Sequence, residues 1–289
     1  MRNLGQVAIV GAGQVGTMVG AALLEGGRAA GVTSVALYDA DPEVARAAVA
    51  LGGGELVLPD LGSVLAADAV VLAMPLGEIL AWLQEFGSQL RPGTLLLDTG
   101  SAKSAVVAAM ARRVPPGVHA IGGHPMAGSE ASGPRAAVPG ALRGAVFALS
   151  PCRADDVALA LATALVTASG ASPLVVEAAD HDRLVARTSH LPHLVASALA
   201  AVIAEVGDDL DLTQALVGTG YRSTTRLAAS NSQMVAAFAT ANRVQLEAAL
   251  QEFRQAMDRL EIALTAGPGA LEAALARGRA GRSLVLGQT

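Results

Sequence analysis

QVAIVGAGQVG, at residues 6–16, is the most informative stretch of the sequence. Its first half is a short apolar run rich in β-branched residues, and such runs are typical of a buried strand. Its second half is rich in glycine, and a helix-forming segment, TMVGAALLEGG, follows at 17–27. The stretch therefore predicts a buried strand that passes through a tight glycine turn into a helix, which is the first unit of an α/β sheet.

Outward from this stretch, strand and helix patterns alternate as far as about residue 177. Such alternation is typical of a parallel sheet with helices on both faces. From residue 178 the apolar residues keep helical spacing and the strand patterns stop. We therefore expect an α/β protein with a Rossmann-type, doubly wound parallel sheet at 1–177 and an all-helical domain at 178–289. Strands are predicted at 6–10, 33–38, 68–74, 94–100, 118–122, 145–151 and 172–178.

The glycine turn has the spacing GxGxxG of a dinucleotide-binding motif. Its glycines permit the turn, the approach of the backbone to a pyrophosphate and close packing of helix on strand. The alternative is a glycine cluster that serves helix packing alone. Asp39 follows the second predicted strand, where an acid binds the adenosine ribose and repels a 2′-phosphate, so we expect NAD rather than NADP. The predicted cofactor-binding residues are Gly11, Gly13, Gln14, Val15, Gly16 and Asp39.

Composition and charge exclude several classes of protein. Hydrophobic residues make up 52% and charged residues 16% of the 289 residues, which indicates a globular chain with a large core. The net charge of −5 and the lack of a long basic run argue against a nucleic-acid partner. Since no segment reaches about 18 uninterrupted apolar residues, no membrane span is expected.

The single cysteine and the helical second half predict where the protein works and in what form. Cys152 has no second cysteine with which to form an internal disulfide, so a reducing compartment, the cytoplasm, is expected. The helices after residue 178 are rich in Ala and Leu and several carry few charges. We expect them to bury a face against a second copy, which predicts a homodimer.

Two polar segments follow predicted strands, at the edge where ligands bind in an open α/β sheet. DTGSAK at 98–103 and GHPM at 123–126 would both lie beside the nicotinamide. A dehydrogenase that oxidises an alcohol needs a base for the hydroxyl proton, and an imidazole suits this near neutral pH. His124 is expected at a strand end before a tight turn, whereas His119 is expected at the surface. His124 is therefore the predicted base.

The second half places histidine and arginine among small hydroxyl residues, in SHLPH at 189–193 and YRSTTR at 221–226. Arginine pairs with carboxylates through two parallel hydrogen bonds. The residue types alone leave two interpretations equally open, an anion-binding wall and a solvated helix face. No metal site is predicted, because no acidic cluster accompanies the histidines.

Four segments stand in a fixed order: DTGSAKS (98–104), GGHPMAGSEASG (122–133), HDRLVARTSHLPH (181–193) and YRSTTRLAAS (221–230). With the early GAGQVG, their order and spacing resemble the prephenate/arogenate dehydrogenase family of tyrosine biosynthesis. The resemblance extends from about residue 5 to about residue 265. Its most specific part is HPMAGSE followed by SHLPH.

The resemblance implies the oxidative decarboxylation of a cyclohexadienol that carries a ring carboxylate. NAD takes hydride from the hydroxyl-bearing carbon, carbon dioxide leaves and the ring becomes aromatic. The resemblance implies that His124 accepts the hydroxyl proton and that Ser101 holds this histidine and the hydroxyl in register. The residues that it implies at the substrate are Arg226, His193, Ser189 and Ser129. The expected substrate is prephenate, converted to 4-hydroxyphenylpyruvate, and arogenate stays open as the alternative.

The sequence also departs from the family pattern and leaves two rival functions. Ala179, Ser223 and Val235 differ from the residues common in the family, and Val235 replaces an aromatic wall of the substrate pocket. One rival is a β-hydroxyacid or 6-phosphogluconate-type dehydrogenase, which relies on a lysine in its helical domain, but no lysine follows Lys103. The other is an NAD-binding regulator that catalyses no reaction. Such a protein would be expected to have lost the imidazole at position 124 or the serine at position 101, but His124 and Ser101 are both present.

Overall fold

The computed structural model of the chain describes residues 3–129, 131–205 and 209–287. It divides into two compact units, Met1–Asn242 and Arg243–Thr289. The strands are β1 (Gly5–Val10), β2 (Val32–Tyr38), β3 (Leu56–Val57), β4 (Ala69–Leu72), β5 (Leu95–Asp98), β6 (His119–Pro125), β7 (Val146–Pro151) and β8 (Ser172–Val175). The α-helices are α1 (Gln14–Gly26), α2 (Pro42–Ala50), α3 (Leu61–Leu65), α4 (Leu76–Phe86), α5 (Ser104–Arg113), α6 (Asp156–Ala168), α7 (Ala178–Val185), α8 (Leu191–Ala204), α9 (Leu210–Leu216), α10 (Thr219–Thr224), α11 (Ser232–Ala241), α12 (Arg243–Ala266) and α13 (Pro268–Val285).

The strands form one sheet in the order β3-β2-β1-β4-β5-β6-β7-β8. The predicted fold class is confirmed, and the sheet departs from it at one pair: β6 and β7 are antiparallel, whereas the other neighbours are parallel. Between β6 and β7 the structure has a short 3-10 turn, Pro134–Ala136, in place of a crossover helix. A parallel return needs such a crossover, so the chain comes back in the opposite direction.

The core lies on both faces of this sheet. In β1 the side chains of Val7 and Ile9 enter one apolar cluster, and those of Ala8 and Val10 enter another. Helices α1, α2 and α6 cover the first face, and α3, α4 and α5 cover the second. Because the sheet is covered on both faces, the carboxyl ends of its parallel strands are the edge at which a ligand can reach the backbone.

The end of strand β6 lies further along the chain than predicted. It extends through Pro125, so His124 lies within the strand, and the tight turn expected after His124 begins only beyond Pro125. The expectation that His119 lies at the surface is also wrong. His119 begins the strand itself and is 9% exposed, with its Nδ1 2.8 Å from Oδ2 of Asp155. Asp155 is the N-cap of α6, so this pair joins the start of β6 to that helix.

The described residues after β8 form helices and turns and no further strands, as the sequence predicts. A π-helical segment, Ala186–His190, lies between α7 and α8. Such wide turns occur frequently at functional sites. In the second unit α12 packs against α13. Across the described ranges, none of the helices is both long and apolar enough to span a membrane.

Candidate active site

The glycine turn between β1 and α1 has the shape that a dinucleotide requires. Gly11 has a φ of +95°, a conformation that favours glycine. A Cβ on Gly16 would lie 1.9 Å from the carbonyl oxygen of Gly11, so helix and turn pack closely. A Cβ on Gly13 would meet none of the described atoms within 4 Å, so this part of the turn is open. An open backbone cradle at the N-terminus of α1 fits a pyrophosphate group.

Asp39 stands directly after β2 and holds this glycine turn in place. Its Oδ2 accepts a hydrogen bond from the amide of Ala12 at 2.8 Å, and its Oδ1 accepts one from the amide of Asp41 at 3.0 Å. An acid at the carboxyl end of the second strand is where an adenosine ribose binds. The same carboxylate therefore braces the turn and lies at the position expected for the ribose contact.

Gln14 connects the glycine turn to the segment that carries Ser129. Its Nε2 donates to Oγ of Ser129 at 2.6 Å and to the carbonyl of Ala136 at 2.9 Å. The amide of Ser129 donates back to Oε1 of Gln14 at 3.1 Å. A residue predicted at the cofactor and one implied at the substrate are thus in direct contact. Val15 lies in the first turn of α1 and is half-buried against the core. Glu130, which follows Ser129, lies outside the described residues.

His124 begins a chain of side chains that runs from β6 to α7. Its Nδ1 lies 2.9 Å from Nε2 of His181, and Nδ1 of His181 lies 2.9 Å from Oδ1 of Asp182. An ionised carboxylate only accepts hydrogen bonds, so Nδ1 of His181 carries a proton; when the ring of His181 is neutral, its Nε2 accepts the proton on Nδ1 of His124. This tautomer leaves Nε2 of His124 unprotonated. The geometry therefore makes His124 a proton acceptor.

Asp182 also caps helix α5. Its Oδ1 accepts from the amide of Lys103 at 2.6 Å, and its Oδ2 accepts from the amide of Ser104 at 2.8 Å. Burial acts to raise the pKa of Asp182, but hydrogen bonds from His181 and from these amides outweigh it and lower the pKa to about 2. Asp182 is therefore ionised at neutral pH, and it fixes α7 against the start of α5.

The surroundings of His124 keep its imidazole neutral. The side chain is 9% exposed, and this burial lowers the pKa of His124 well below its ordinary value. The charge of Lys103 and the rings of His181 and His190 act in the same direction, whereas Asp182 acts against them. A neutral imidazole with a free ring nitrogen is the form in which a histidine serves as a general base.

Ser101 lies in the turn between β5 and α5, and a second buried histidine holds this turn. Nε2 of His190 donates to the carbonyl of Ser101 at 3.2 Å, which leaves Nδ1 as an acceptor for the Asn242 side chain at 3.2 Å. Asn242 also donates to the carbonyl of Asp182 at 2.8 Å. Burial lowers the pKa of His190 to about 4, so its ring is neutral. Through His190 and Asn242, the Ser101 turn is tied to the helix that carries Asp182.

Two of the residues implied at the substrate, His193 and Arg226, lie near each other. Helix α8 packs on the 3-10 turn that begins at Arg226, and the backbone of Leu227 hydrogen-bonds His193. Burial lowers the pKa of His193, and the charge of Arg226 acts in the same direction. Arg226 is exposed and His193 is half-buried. A cation beside a neutral imidazole is an arrangement that can hold a carboxylate.

Phe238 joins this pair to the Ser101 turn. Its ring stacks on His190 with 4.4 Å between centroids and meets the edge of the His193 ring at 5.3 Å. Ser189 precedes His190 in the π-helical segment and is half-buried. The structure thus connects the Ser101 turn, His190 and His193 through one buried aromatic ring. Within the described ranges, Ser101 and His124 are not hydrogen-bonded to each other.

The sequence reasoning missed the residues that support His124 and Ser101. Asp98, His181 and Asn242 are not among the residues predicted for the site. The adjacent His–Asp pair at 181–182 was the available signal, because a carboxylate next to a histidine often fixes its tautomer. No local pattern marks Asn242. In the part of the chain that the structure describes, no group of three or more His, Cys, Asp or Glu side chains could hold a metal ion.

Comparison with known proteins agrees with this geometry. Residues 23–175 match the family model for the nucleotide-binding domain of prephenate dehydrogenase, and residues 177–271 match that for its dimerization domain. The chain is 30% identical over 203 residues to the prephenate dehydrogenase of Lactococcus lactis, covering 69% of this chain and 55% of that protein. It is 28% identical over 267 residues to the cyclohexadienyl dehydrogenase of Zymomonas mobilis, covering 91% of this chain and 89% of that one.

Among solved structures, the arogenate dehydrogenase of Synechocystis superposes with a TM-score of 0.77 at 27% identity. The superposition covers 97% of this chain and 99% of that one. The chain spans little more than half the length of the Lactococcus protein, 55%, and nearly the whole length of the Synechocystis structure.

Proposed function

This chain belongs to the prephenate dehydrogenase family, and we propose that it catalyses the NAD-dependent oxidative decarboxylation of prephenate to 4-hydroxyphenylpyruvate, a step of tyrosine biosynthesis. The observation that carries the proposal is the contact of His124 with His181, which Asp182 holds in turn; with His181 neutral, this arrangement leaves Nε2 of His124 unprotonated. A nitrogen of this kind can take the proton of a substrate hydroxyl. The matched nucleotide-binding domain supports a dehydrogenase.

The cofactor is assigned to the glycine turn. Gly11, Gly13 and Gly16, with the N-terminus of α1, would hold the pyrophosphate, and Asp39 would hold the adenosine ribose. The negative charge of Asp39 disfavours the 2′-phosphate of NADP, which supports NAD. When bound, NAD supplies the hydride acceptor for the hydroxyl-bearing carbon of the substrate.

His124 takes the hydroxyl proton at Nε2. The imidazolium that forms keeps its Nδ1–H bond to His181, whose own Nδ1–H is held by ionised Asp182. This chain orients the ring and stabilises the new charge without a proton passing to Asp182, as an orienting carboxylate does in other histidine-based sites. The hydroxyl of Ser101, in a turn held by His190, donates to the substrate oxygen and keeps it in register with His124.

The helical half binds the rest of the substrate. Arg226 pairs with a substrate carboxylate, and His193 and Ser189 contact the side chain. Ser129 contacts the substrate from the segment that Gln14 holds. Loss of the ring carboxylate as carbon dioxide leaves an aromatic product, and the gain of aromaticity makes the step strongly favourable.

Arogenate is the alternative substrate. It carries an amino acid where prephenate carries a keto acid, so both present a ring hydroxyl to His124 and a carboxylate to Arg226. The names of two relatives support keeping it, since one is a cyclohexadienyl dehydrogenase and the other an arogenate dehydrogenase.

We further propose a homodimer, with a dinucleotide-binding domain at 1–177 and a substrate and dimer-forming domain at 178–289. The match to a dimerization domain supports it. Helices of this half also expose large apolar side chains: Val202, Val244, Met257, Ile262, Leu264, Leu275 and Leu284. A cytoplasmic location is proposed because the one cysteine is a free thiol. The proposed ligands are small molecules, with no nucleic acid or membrane partner.

The test follows the absorbance of reduced nicotinamide when purified protein is mixed with NAD and either prephenate or arogenate. Reduction with prephenate, accompanied by release of carbon dioxide, is the expected result. Reduction with arogenate alone makes arogenate the substrate, and reduction with neither, in protein that binds NAD, contradicts the proposal. The matched control is His124→Asn, which should bind NAD normally and lose turnover on the order of 10²- to 10⁴-fold.

A further inference from the structure

Lys103 is the only lysine in the sequence, and it is completely buried. Its ammonium contacts the carboxylate of Asp98, which is also completely buried, and donates to the carbonyl of Gly123 at 2.6 Å. Burial lowers the pKa of Lys103, and Asp98 acts to raise it again. A buried ion pair contributes little net stability compared with apolar side chains of the same volume. The pair therefore calls for a role other than stability.

The ion pair holds the peptide that precedes His124. Oδ1 of Asp98 accepts from the amide of Gly123 at 2.9 Å, while Lys103 donates to the carbonyl of the same residue. The backbone ladder between β5 and β6 ends two residues before Gly123. The two side chains thus replace the ladder at this point, and they fix both polar groups of the residue next to His124.

Two consecutive glycines make room for this arrangement. A Cβ on Gly122 would lie 3.3 Å from Cδ of Lys103 and 2.9 Å from a methyl group of Val107. A Cβ on Gly123 would lie 2.4 Å from the carbonyl oxygen of Asp98. Side chains at these positions would push the strand away from the ion pair. The glycines before His124 therefore serve the packing of Lys103 and Asp98 against β6, rather than a turn.

We propose that Lys103 and Asp98 are positioning residues for His124, whose ion pair fixes the backbone that carries the imidazole and places a cation beside it, so that the ring stays neutral and aimed at the substrate. The proposal rests on the proposed function only in taking His124 as the base. The groups that face His124 are Lys103 at the start of α5, His181 and Asp182 from α7, and His190 from the π-helical segment. Of these, Lys103 is the group that the proposal takes as a cation, because it contacts the carboxylate of Asp98.

The first test compares Lys103→Met with Arg91→Met. The first variant removes the buried charge and keeps an unbranched stem, and the second removes the cation of an exposed ion pair with Asp68 outside the site. NMR of 15N-labelled histidine in cofactor-free protein follows the protonation and tautomer of His124 without turnover. In Lys103→Met we expect the pKa of His124 to rise by about one unit. Arg91→Met should leave it unchanged.

Kinetics supply a second readout. In Lys103→Met, turnover near neutral pH should fall on the order of 10²-fold, because the base is misplaced. Its acid limb should move to higher pH, while the affinity for NAD changes by less than about threefold. A folded Lys103→Met with the titration and turnover of the wild type overturns the proposal.

Two further measurements keep the proposal testable if that variant does not fold. Lys103→Met/Asp98→Asn removes both charges and keeps an oxygen for the Gly123 amide, and a smaller rise in the pKa of His124 is expected, because the loss of the carboxylate opposes the loss of the ammonium. In wild-type protein, 15Nζ-labelled lysine gives a single side-chain resonance, expected to be a slowly exchanging ammonium. A neutral amine, or rapid reductive methylation of the native protein, overturns the proposal. Wild-type protein that reduces NAD with neither substrate instead contradicts the proposed function and leaves the histidine titration to decide this one.

Discussion

Nδ1 of His124 lies 2.9 Å from Nε2 of His181. The two rings meet edge to face, with 5.1 Å between their centroids. Because Asp182 holds the other nitrogen of His181, a neutral His181 accepts at Nε2 and fixes the tautomer of His124. The ring of His124, the proposed base, is therefore oriented by the fold itself.

Replacing His181 with Phe should lower kcat on the order of 10²-fold or more. The ring volume is kept, but Nδ1 of His124 loses its acceptor, so the tautomer and the ring angle are no longer fixed. Steady-state kinetics and calorimetric NAD binding measure the effect, and NAD affinity should stay near the wild-type value. His119→Phe is the control. It also removes a buried imidazole, but from the start of β6, whereas His124 lies near the end of that strand. Equal losses in both variants would show a general effect of losing a buried histidine.

Gln14 and Ser129 should act as one unit. Gln14→Leu and Ser129→Ala each remove the 2.6 Å hydrogen bond between Nε2 of Gln14 and Oγ of Ser129. Since Ser129 is a proposed substrate contact, each variant should raise the KM for the substrate. The double variant should be little worse than the poorer single variant, with a coupling free energy of about 1 kcal/mol in kcat/KM. Fully additive effects would mean that the two side chains contribute separately.

The hydrogen bond from Asp39 to the glycine turn and its proposed contact with the ribose can be separated by substitution. Asp39→Asn removes the charge but keeps an oxygen for the Ala12 amide, so it should lower the preference for NAD over NADP by about tenfold without loosening the turn. Asp39→Ala removes both the charge and the oxygen that accepts from the Ala12 amide, so it should also weaken the binding of either cofactor. Dissociation constants for NAD and NADP provide the measurement. An unchanged NAD/NADP ratio in Asp39→Asn would place the ribose elsewhere.

The fold could be predicted because its signals are local. The run Val7–Val10 is buried on both faces, and the glycine turn after it has a spacing that few other structures require. The pairing of β6 with β7 was not predictable in this way. The direction of β7 relative to β6 depends on whether the segment before Val146 forms a crossover helix. A short turn such as Pro134–Ala136 has no strong sequence pattern that would decide this.

The site was predictable only in part, because its support comes from residues distant in sequence. His124 is predicted as the base from its place after a strand and from resemblance. Its partner His181 is 57 residues away, and Asn242 contacts His190 across 52 residues. The role of Lys103 depends on the burial of its whole side chain, which no spacing reveals. Tertiary contacts of this kind are set by packing rather than by periodicity.

The buried ring of His190 should make stability depend on pH. Burial lowers the pKa of His190 to about 4 in the folded protein, whereas an unfolded histidine has a pKa of about 6.5. Between these values the unfolded chain binds more protons than the folded one. The contribution of the neutral His190 ring to the free energy of unfolding is therefore complete above pH 6.5 and is lost as the pH falls towards 4. The loss from this group should reach about 3 kcal/mol. Urea unfolding at pH 7, 5.5 and 4.5 measures it.

His190→Gln isolates this contribution. The glutamine amide can donate to the Ser101 carbonyl in place of Nε2 but does not titrate, so the variant should lose less stability on acidification than the wild type. The pKa of His124 is also lowered, mainly by burial, which the substitution keeps; the charge of protonated His190 adds to that lowering, so the variant removes this smaller effect together with the titration of His190. Asp182, with a pKa of about 2, stays ionised over this range and adds nothing. Parallel curves for the two proteins would mean that His190 is protonated with little cost, and its hydrogen bond would then not require the neutral ring.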